Sequence, residues 1–399
     1  MSNFVVKIVI FAHVPPPHHG QSAMVKLMLD GLESGEFGEF EIHHIDARFS
    51  TSLEDVGTSG ISKGFLALKF AFQAIRCRLI HGVKAIYYVP APPKASAMIR
   101  DWIVLALCRP FFPQLIFHWH AVGLGQWTIA SAQSQNLKSR VMAKLNRLIM
   151  SRHAVSLSLT RWGTRDSDVF SPRRNFIVPN GISDPCSDFD DSLLSTRKAR
   201  REELKAPMVM TTYRVAFLGH CHEGKGLWDT MHAIALANRK LEDGNQLIRL
   251  ELTVAGEFPS SDDHNYFDSL RDELGPAQFE YIGFVAGEDK RDFLEGADCL
   301  CFPTKYEAES FGLVAAEALA FGIPPVCSDW RMLPDLMKMV GLPVAETGNP
   351  DSLARQLVVS IGRDSPEFLR AAFCDNFTER KHLQILTDSL REATGLSER

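Results

Sequence analysis

Short apolar runs alternate along this chain with longer stretches of helical periodicity, and Gly, Pro and Asn stand between them. The β-branched run at 5–11 predicts a first strand. Further strands are expected at 40–45, 85–89, 115–120, 155–159 and 176–178, with helices at 24–30, 64–81, 92–107 and 136–150. The alternation resumes with strands at 213–219, 250–255 and 279–283 and helices at 227–241 and 290–296. A strand at 297–303, a polar loop at 304–310, a helix at 311–321 and a strand at 326–328 then form one βαβ unit. Gly322 and Pro324-Pro325 stop its helix. Helices at 350–361 and 366–392 follow. Such alternation predicts an α/β chain with parallel sheets.

At 399 residues the chain is too long for one ordinary core, so two domains are expected. The polar, charged stretch 184–212 reads as the linker, between a first domain at 1–183 and a second at 213–370. Within that stretch Asp188-Phe189-Asp190 suggests either a metal-binding Asp-x-Asp or a solvated acidic linker. With 45% hydrophobic and 23% charged residues this is an ordinary globular composition. The eight cysteines are scattered, with no Cys-x2-Cys, which argues for a reducing compartment and against a disulfide scaffold. No secretory leader and no transmembrane helix are expected, because Lys7 interrupts the first apolar run and charges break the longer ones.

The net charge of −5 hides an asymmetry. Residues 1–180 hold 20 Lys and Arg against 11 Asp and Glu, and residues 60–165 hold 15 basic residues and one acid, Asp101. A basic half favours an anionic membrane surface or acidic ligands, or is simply a solvated face. The helix at 136–150 carries Lys138, Arg140, Lys144 and Arg147 among apolar residues. It reads equally as an interfacial surface or as a helix packed on the sheet.

The chemistry concentrates at 309–317. Glu309 precedes the helix and Glu317 lies inside it, with Ser310, Phe311, Gly312 and Leu313 between them. A helix leaves its first N–H groups free, and these donors with the helix dipole favour an anion, usually phosphate. Gly312 permits close approach to the backbone. Glu317, one turn on, can accept from hydroxyls at the same mouth. A phosphate flanked by hydroxyls describes a nucleotide sugar.

Glu309-x7-Glu317, with Ser-Phe-Gly-Leu after the first Glu and Ala-Leu-Ala-Phe-Gly-Ile-Pro-Pro after the second, resembles the signature of retaining glycosyltransferases of family four. The resemblance implies the GT-B fold: two Rossmann-like domains facing each other across a cleft. It also implies a last helix, about 371–399, returning to brace the first domain. Three further stretches are similar to the family's. Gly219-His220 and Lys225-Gly226 stand where it usually has Gly-Arg and Lys-Gly, so Lys225 would hold a diphosphate while His220 replaces the Arg. Phe284-Val285 stands where the backbone meets the base. Pro179-Asn180-Gly181-Ile182 resembles the end of the first domain. In the first loop, His19-Gly20 stands where two glycines usually lie against the donor or acceptor. His120, in His118-Trp119-His120, matches a histidine beside the donor sugar; read without the family, the pair is a metal site or a lining of core or cleft.

The resemblance implies a retaining transferase moving a hexose-type sugar from a nucleoside-diphosphate sugar to a hydroxyl acceptor, in cell-surface polysaccharide or glycolipid synthesis. Glu309, His120 and Lys225 would carry catalysis. Gly20, Gly219, His220, Lys225, Val285, Glu309, Ser310, Phe311, Gly312, Leu313 and Glu317 would bind the donor. No metal and no cofactor beyond the nucleotide-sugar substrate is expected. A lipid-linked or anionic glycan acceptor, peripheral contact with an anionic membrane at its cytoplasmic face, and no nucleic acid are the expected partners. His220 keeps open a catalytically weak protein acting as a binding or assembly subunit. An epimerase or phosphorylase of the same fold is the remaining alternative.

Overall fold

The computed structural model describes residues 5–16, 20–38, 40–49, 61–151, 154–275 and 278–395. The chain forms two compact units: Met1–Gly181 with Glu379–Arg399, and Ile182–Thr378.

The first unit runs β1 (Val6–Ala12), α1 (Gly20–Glu33), β2 (Phe40–Asp46), α2 (Ile61–His81), β3 (Ala85–Tyr88), α3 (Ala95–Cys108), β4 (Gln114–Trp119), α4 (Leu124–Ala132), α5 (Leu137–Met150), β5 (Val155–Ser158), α6 (Thr164–Asp168) and β6 (Arg174–Ile177). Its six-stranded sheet has the order β2-β1-β3-β4-β5-β6, and every pair is parallel. The inner strands β1, β3, β4 and β5 are buried almost throughout, as a sheet covered on both faces requires, while the edge strands β2 and β6 are more open. Val9, Phe11, Ile86, Tyr88 and Phe117 meet Ala67, Phe70, Ala71 and Ala74 of α2, with Met98, Val104 and Leu105 of α3. Ile8, Ile10, Tyr87, Ile116 and Leu157 face the opposite way, onto Val25, Met28 and Leu29 of α1.

The second unit runs α7 (Asp191–Lys205), β7 (Thr211–Leu218), a 3-10 turn (Glu223–Lys225), α8 (Leu227–Asp243), β8 (Ile248–Ala255), α9 (Ser261–Leu274), β9 (Phe279–Gly283), α10 (Gly287–Gly296), β10 (Cys299–Phe302), α11 (Leu313–Ala320), β11 (Pro325–Ser328), α12 (Leu333–Met339), β12 (Val344–Ala345), α13 (Pro350–Ser360) and α14 (Pro366–Asn376). Its sheet, β12-β11-β10-β7-β8-β9, is again wholly parallel. Tyr213, Val215, Leu252, Val254, Cys299 and Cys301 fill its core against Leu227, Met231 and Ile234 of α8. The last helix, α15 (Glu379–Thr394), belongs to the first unit, where Leu386, Leu390 and Ala393 join the cluster around Ile8 and Ile10.

Three sequence expectations are corrected. Residues 184–212 are not a bare linker, because α7 folds into the second unit. Asp190 caps it, accepting from the Ser192 and Leu193 amides at 3.0 and 2.9 Å. Arg197 is buried and donates to the carbonyls of Ala297 and Leu294, while Arg200 pairs with Asp298. Two of the charges that suggested a linker, Arg197 and Arg200, are thus aimed at buried carbonyls and one buried carboxylate, where charge-assisted hydrogen bonds are strong, while Lys198, Glu202 and Lys205 stay in exposed pairs. Asp188, the other half of the Asp-x-Asp, lies 2.6 Å from Arg291. The single helix expected at 366–392 is two, broken at Phe377–Thr378, where Phe377 is buried and its carbonyl accepts from Ile182 N–H. The helix after the signature loop begins at Leu313, so Ser310 and Phe311 precede it. Among the described residues no helix is long and apolar enough to cross a membrane.

Candidate functional site

Two loops at the carboxyl ends of neighbouring strands build the site in the second unit. One follows β7 and carries Gly219, His220 and Lys225; the other follows β10 and carries Glu309 to Gly312. They interlock through backbone: Lys305 N–H donates to the Gly224 carbonyl at 2.8 Å. Gly226, with φ +80°, passes so close to Pro303 that a Cβ would stand 2.3 Å from its carbonyl oxygen. Only glycine fits both the conformation and the space there.

That approach brings Lys225 to Glu309, with Nζ 2.7 Å from Oε2 and both side chains largely buried. The ammonium also lies 5.0 Å from the Tyr306 ring centre and 5.8 Å from that of Phe302, within cation–π range. Glu309 Oε1 accepts from Gly312 N–H at 3.1 Å. Of the amides expected to be free at this turn, that of Gly312 is therefore already used. Gly312 takes φ +81°, and a Cβ there would meet Leu333 at 2.9 Å and Phe302 at 3.0 Å. Phe311 is buried edge-on against Phe377 and anchors the loop in the core, while Ser310 and Leu313 are half-buried at the helix entrance.

Glu317 makes a separate pair, with Lys290 Nζ 2.7 Å from Oε2. Lys290 is an addition that the sequence reading missed, since nothing in its helix marks it except proximity in space. His220 is exposed and Val285 half-buried; no hydrogen bond or ion pair joins either side chain to Lys225 or Glu309 among the described residues. Gly219 has φ +151° with open space where a side chain would stand, and its N–H donates to the Ala255 carbonyl. His222, also missed, shapes this loop. Its Nδ1 accepts from Gly224 N–H at 3.1 Å and its ring sits edge-on to Tyr306. Burial lowers its pKa, which favours the neutral, accepting ring.

The first unit carries the two remaining site residues. His120 is buried after β4, its ring 4.1 Å from that of His118. Tyr87 Oη lies 2.6 Å from His118 Nδ1, and burial holds the His118 pKa well below its usual value, with His120 and His382 adding to the shift. Gly20 opens α1 with nothing near its missing side chain. His19, its partner in the sequence reading, lies outside the described residues.

The second unit thus offers a lysine and a glycine-turned helix start, both held by one carboxylate. A cation and N-terminal amides together can receive phosphate oxygens.

Residues 200–358 match the family described as glycosyl transferases group 1. Over 85 residues the chain is 34% identical to O-antigen chain mannosyltransferase B of Escherichia coli, covering 21% of this chain and 22% of that protein. Over 107 residues it is 36% identical to an uncharacterized glycosyltransferase of Methanocaldococcus jannaschii, covering 26% of each. These matches span about a quarter of the curated relatives' own length. The structure of HepE from Anabaena, solved with UDP, superposes with a TM-score of 0.61 at 14% identity, over 97% of this chain and 100% of that one. Residues 200–358 are therefore a glycosyl transferases group 1 domain, carried in a chain of the GT-B fold.

Proposed function

We propose that this protein is a retaining glycosyltransferase. It moves a hexose-type sugar from a nucleoside-diphosphate sugar to a hydroxyl acceptor. The observation that carries the reading is the Lys225–Glu309 pair at the turn into α11. When the bond from the anomeric carbon to the donor phosphate breaks, its electron pair leaves with the diphosphate. Lys225 and the amides from Ser310 to Leu313 offset that charge, which is the main electrostatic demand of the step. The acceptor oxygen bonds to the same carbon and passes its proton to the departing diphosphate oxygen. Glu309 orients the sugar, Glu317 takes the ribose hydroxyls, and His120 lies beside the donor sugar. Gly20, Gly219, His220 and Val285 line the donor's path. Neither a metal nor a further cofactor has a role in this scheme.

The acceptor is a lipid-linked or anionic glycan at an anionic membrane surface, in polysaccharide or glycolipid synthesis. The basic bias of residues 60–165 and the name of the Escherichia coli relative support this. A thermal-shift panel of UDP, GDP, ADP and dTDP tests the donor site, since a ligand that binds the folded state raises the midpoint. A shift with one nucleotide, lost in Lys225→Ala and Glu317→Ala, is the expected result. No shift with any nucleotide overturns the reading. It would favour a binding or assembly subunit, to which the exposed His220 in place of an arginine already points.

A further inference from the structure

Helix α2 is apolar on two opposite sides. Ala67, Phe70, Ala71 and Ala74 face the sheet and are buried. The far side carries Phe65, Leu68, Phe72 and Leu79, which are 69%, 37%, 63% and 70% exposed. Spacings of three, four and seven residues put these four on one stripe. Lys69 and Arg76 stand within it, and Ile80 borders it. Single exposed apolar residues are ordinary, but a continuous row with two phenylalanines marks an interaction surface.

Helix α5 repeats the pattern in the same layer, with α3 packed between it and α2. Its exposed Leu137, Val141 and Leu148 are ringed by Lys138, Arg140, Lys144 and Arg147. Among the described residues none of these six cations, Lys69 and Arg76 included, makes an ion pair.

Charge decides which partner fits. A second copy would bring a basic face against a basic face. The one acid of the region, Asp101, is buried and bound to Tyr88, Arg100 and the Ala91 amide, so it cannot neutralise a partner. An anionic bilayer supplies both missing complements: negative headgroups for the cations and an acyl boundary for the phenylalanines.

We propose that the α2–α5 face of the first unit is a membrane-insertion surface. Phe65, Leu68, Phe72 and Leu79 enter the acyl boundary of an anionic bilayer while Lys69 and Arg76 extend to its headgroups. The inference rests on the membrane contact proposed above and adds a defined face and an apolar mode of attachment.

The test is co-sedimentation of the full chain with phosphatidylcholine vesicles containing about a third phosphatidylglycerol, an anionic surface of the kind required. Wild type is compared with Phe65→Ser/Phe72→Ser/Leu79→Ser. Wild type should bind and keep part of its binding at about 0.5 M salt, where attraction by charge alone is screened. The triple variant should bind at least about tenfold more weakly, as loss of three inserted side chains demands. Its melting midpoint should stay unchanged, because the residues are exposed. Phe72→Trp, a milder change, should show blue-shifted emission on adding the vesicles. Equal binding by wild type and triple variant, or no shift for Phe72→Trp, overturns this face while leaving membrane contact by charge intact. No binding by wild type removes both. A dimer without vesicles that the triple variant abolishes would assign the face to a second copy and overturn the proposal. Nucleotide-induced shifts stay unaffected in every arm, so the donor reading is judged separately.

Discussion

Lys225 and Gly312 are held by the two oxygens of one carboxylate: Glu309 Oε2 lies 2.7 Å from the ammonium, and Oε1 accepts the Gly312 amide at 3.1 Å. The groups suited to receive a diphosphate are therefore already paired. A ligand phosphate has to compete with Glu309 for both, and in doing so frees the carboxylate to meet sugar hydroxyls.

Competition of this kind makes the two partners separable by mutation. Lys225→Ala should weaken nucleoside-diphosphate binding about 10- to 100-fold, the worth of one charge-assisted hydrogen bond. Glu309→Gln, which keeps the shape but not the charge, should bind the same nucleotide as tightly or up to about tenfold more tightly, because a neutral amide holds Lys225 less firmly. Sugar transfer should nonetheless fall at least about a hundredfold, a cost typical of removing a transition-state contact. Calorimetry and a transfer assay read the two effects. Unchanged affinity in Lys225→Ala would remove this lysine from the donor site.

The glycines that bring the loops together should rank by the space beside them. Gly226→Ala, aimed at a carbonyl oxygen 2.3 Å away with φ +80°, should cost about 3 kcal/mol or more. Gly312→Ala, meeting the side chains of Leu333 and Phe302 at 2.9 and 3.0 Å, should cost about 2 kcal/mol. Gly64→Ala sits inside α2 with open space around it and should instead stabilise by about 0.5–1 kcal/mol. Denaturant midpoints give the order directly, and a reversal between Gly226 and Gly64 would contradict the packing described.

His382 gives the first unit an acid-sensitive joint. Its Nδ1 lies 2.6 Å from the Pro179 carbonyl, and burial pushes its pKa down to about 4. An unfolded imidazole titrates near 6.5, so the unfolded chain takes the proton first as pH falls. The neutral ring's contribution is whole above about pH 6.5 and is lost as pH drops toward 4, with an upper size of about 3 kcal/mol. The melting midpoint should therefore fall more steeply from about pH 7 to 4.5 in wild type than in His382→Gln. Parallel curves would show that His382 does not set the acid response.

The thiols should report the cores. All eight cysteines are free, and Cys374 alone among them is exposed, with Cys77 half-buried. Burial pushes Cys301 up to about 12 and Cys108 likewise, so neither offers thiolate near neutrality. A thiol reagent on the native protein should label Cys374 promptly, Cys77 slowly and the other six only after unfolding. Early labelling of Cys299, Cys301 or Cys327 would place the second sheet's centre in solvent.

Most strands of the two parallel sheets were legible in the sequence as short apolar runs between turn residues, and β1 and β7 were found within a residue or two, while β12, only two residues long, carried too short a pattern to be read. The segment around α7 was misread for a physical reason. Most of its polar residues do face water, but Arg197 and Arg200 reach the Ala297 carbonyl and the Asp298 carboxylate, some hundred residues away, and no local pattern encodes that. The break at Phe377–Thr378 was hidden similarly, since helical periodicity continues on both sides of it. At the site, the spacing of Glu309 and Glu317 pointed to a shared role, but they pair with Lys225 and Lys290 respectively. His222 and Tyr306 were missed because they act through a turn and a ring contact, which leave no recognisable spacing.

The first unit takes its last helix from the far end of the chain. Leu383 fills the space left by Gly31, where a Cβ would come within 2.4 Å, and Leu386 and Leu390 sit among the residues beneath β1. A ribosome makes β1 some 370 residues before it makes α15. The half that emerges first is thus the half that is finished last, and its apolar α1 flank stays open throughout synthesis. The second unit, Ile182–Thr378, is continuous and can close as soon as it clears the exit tunnel. A stalled or truncated product ending before Glu379 should accordingly hold one folded body and one sticky, unfinished one, which makes the nascent first half the natural client for a chaperone.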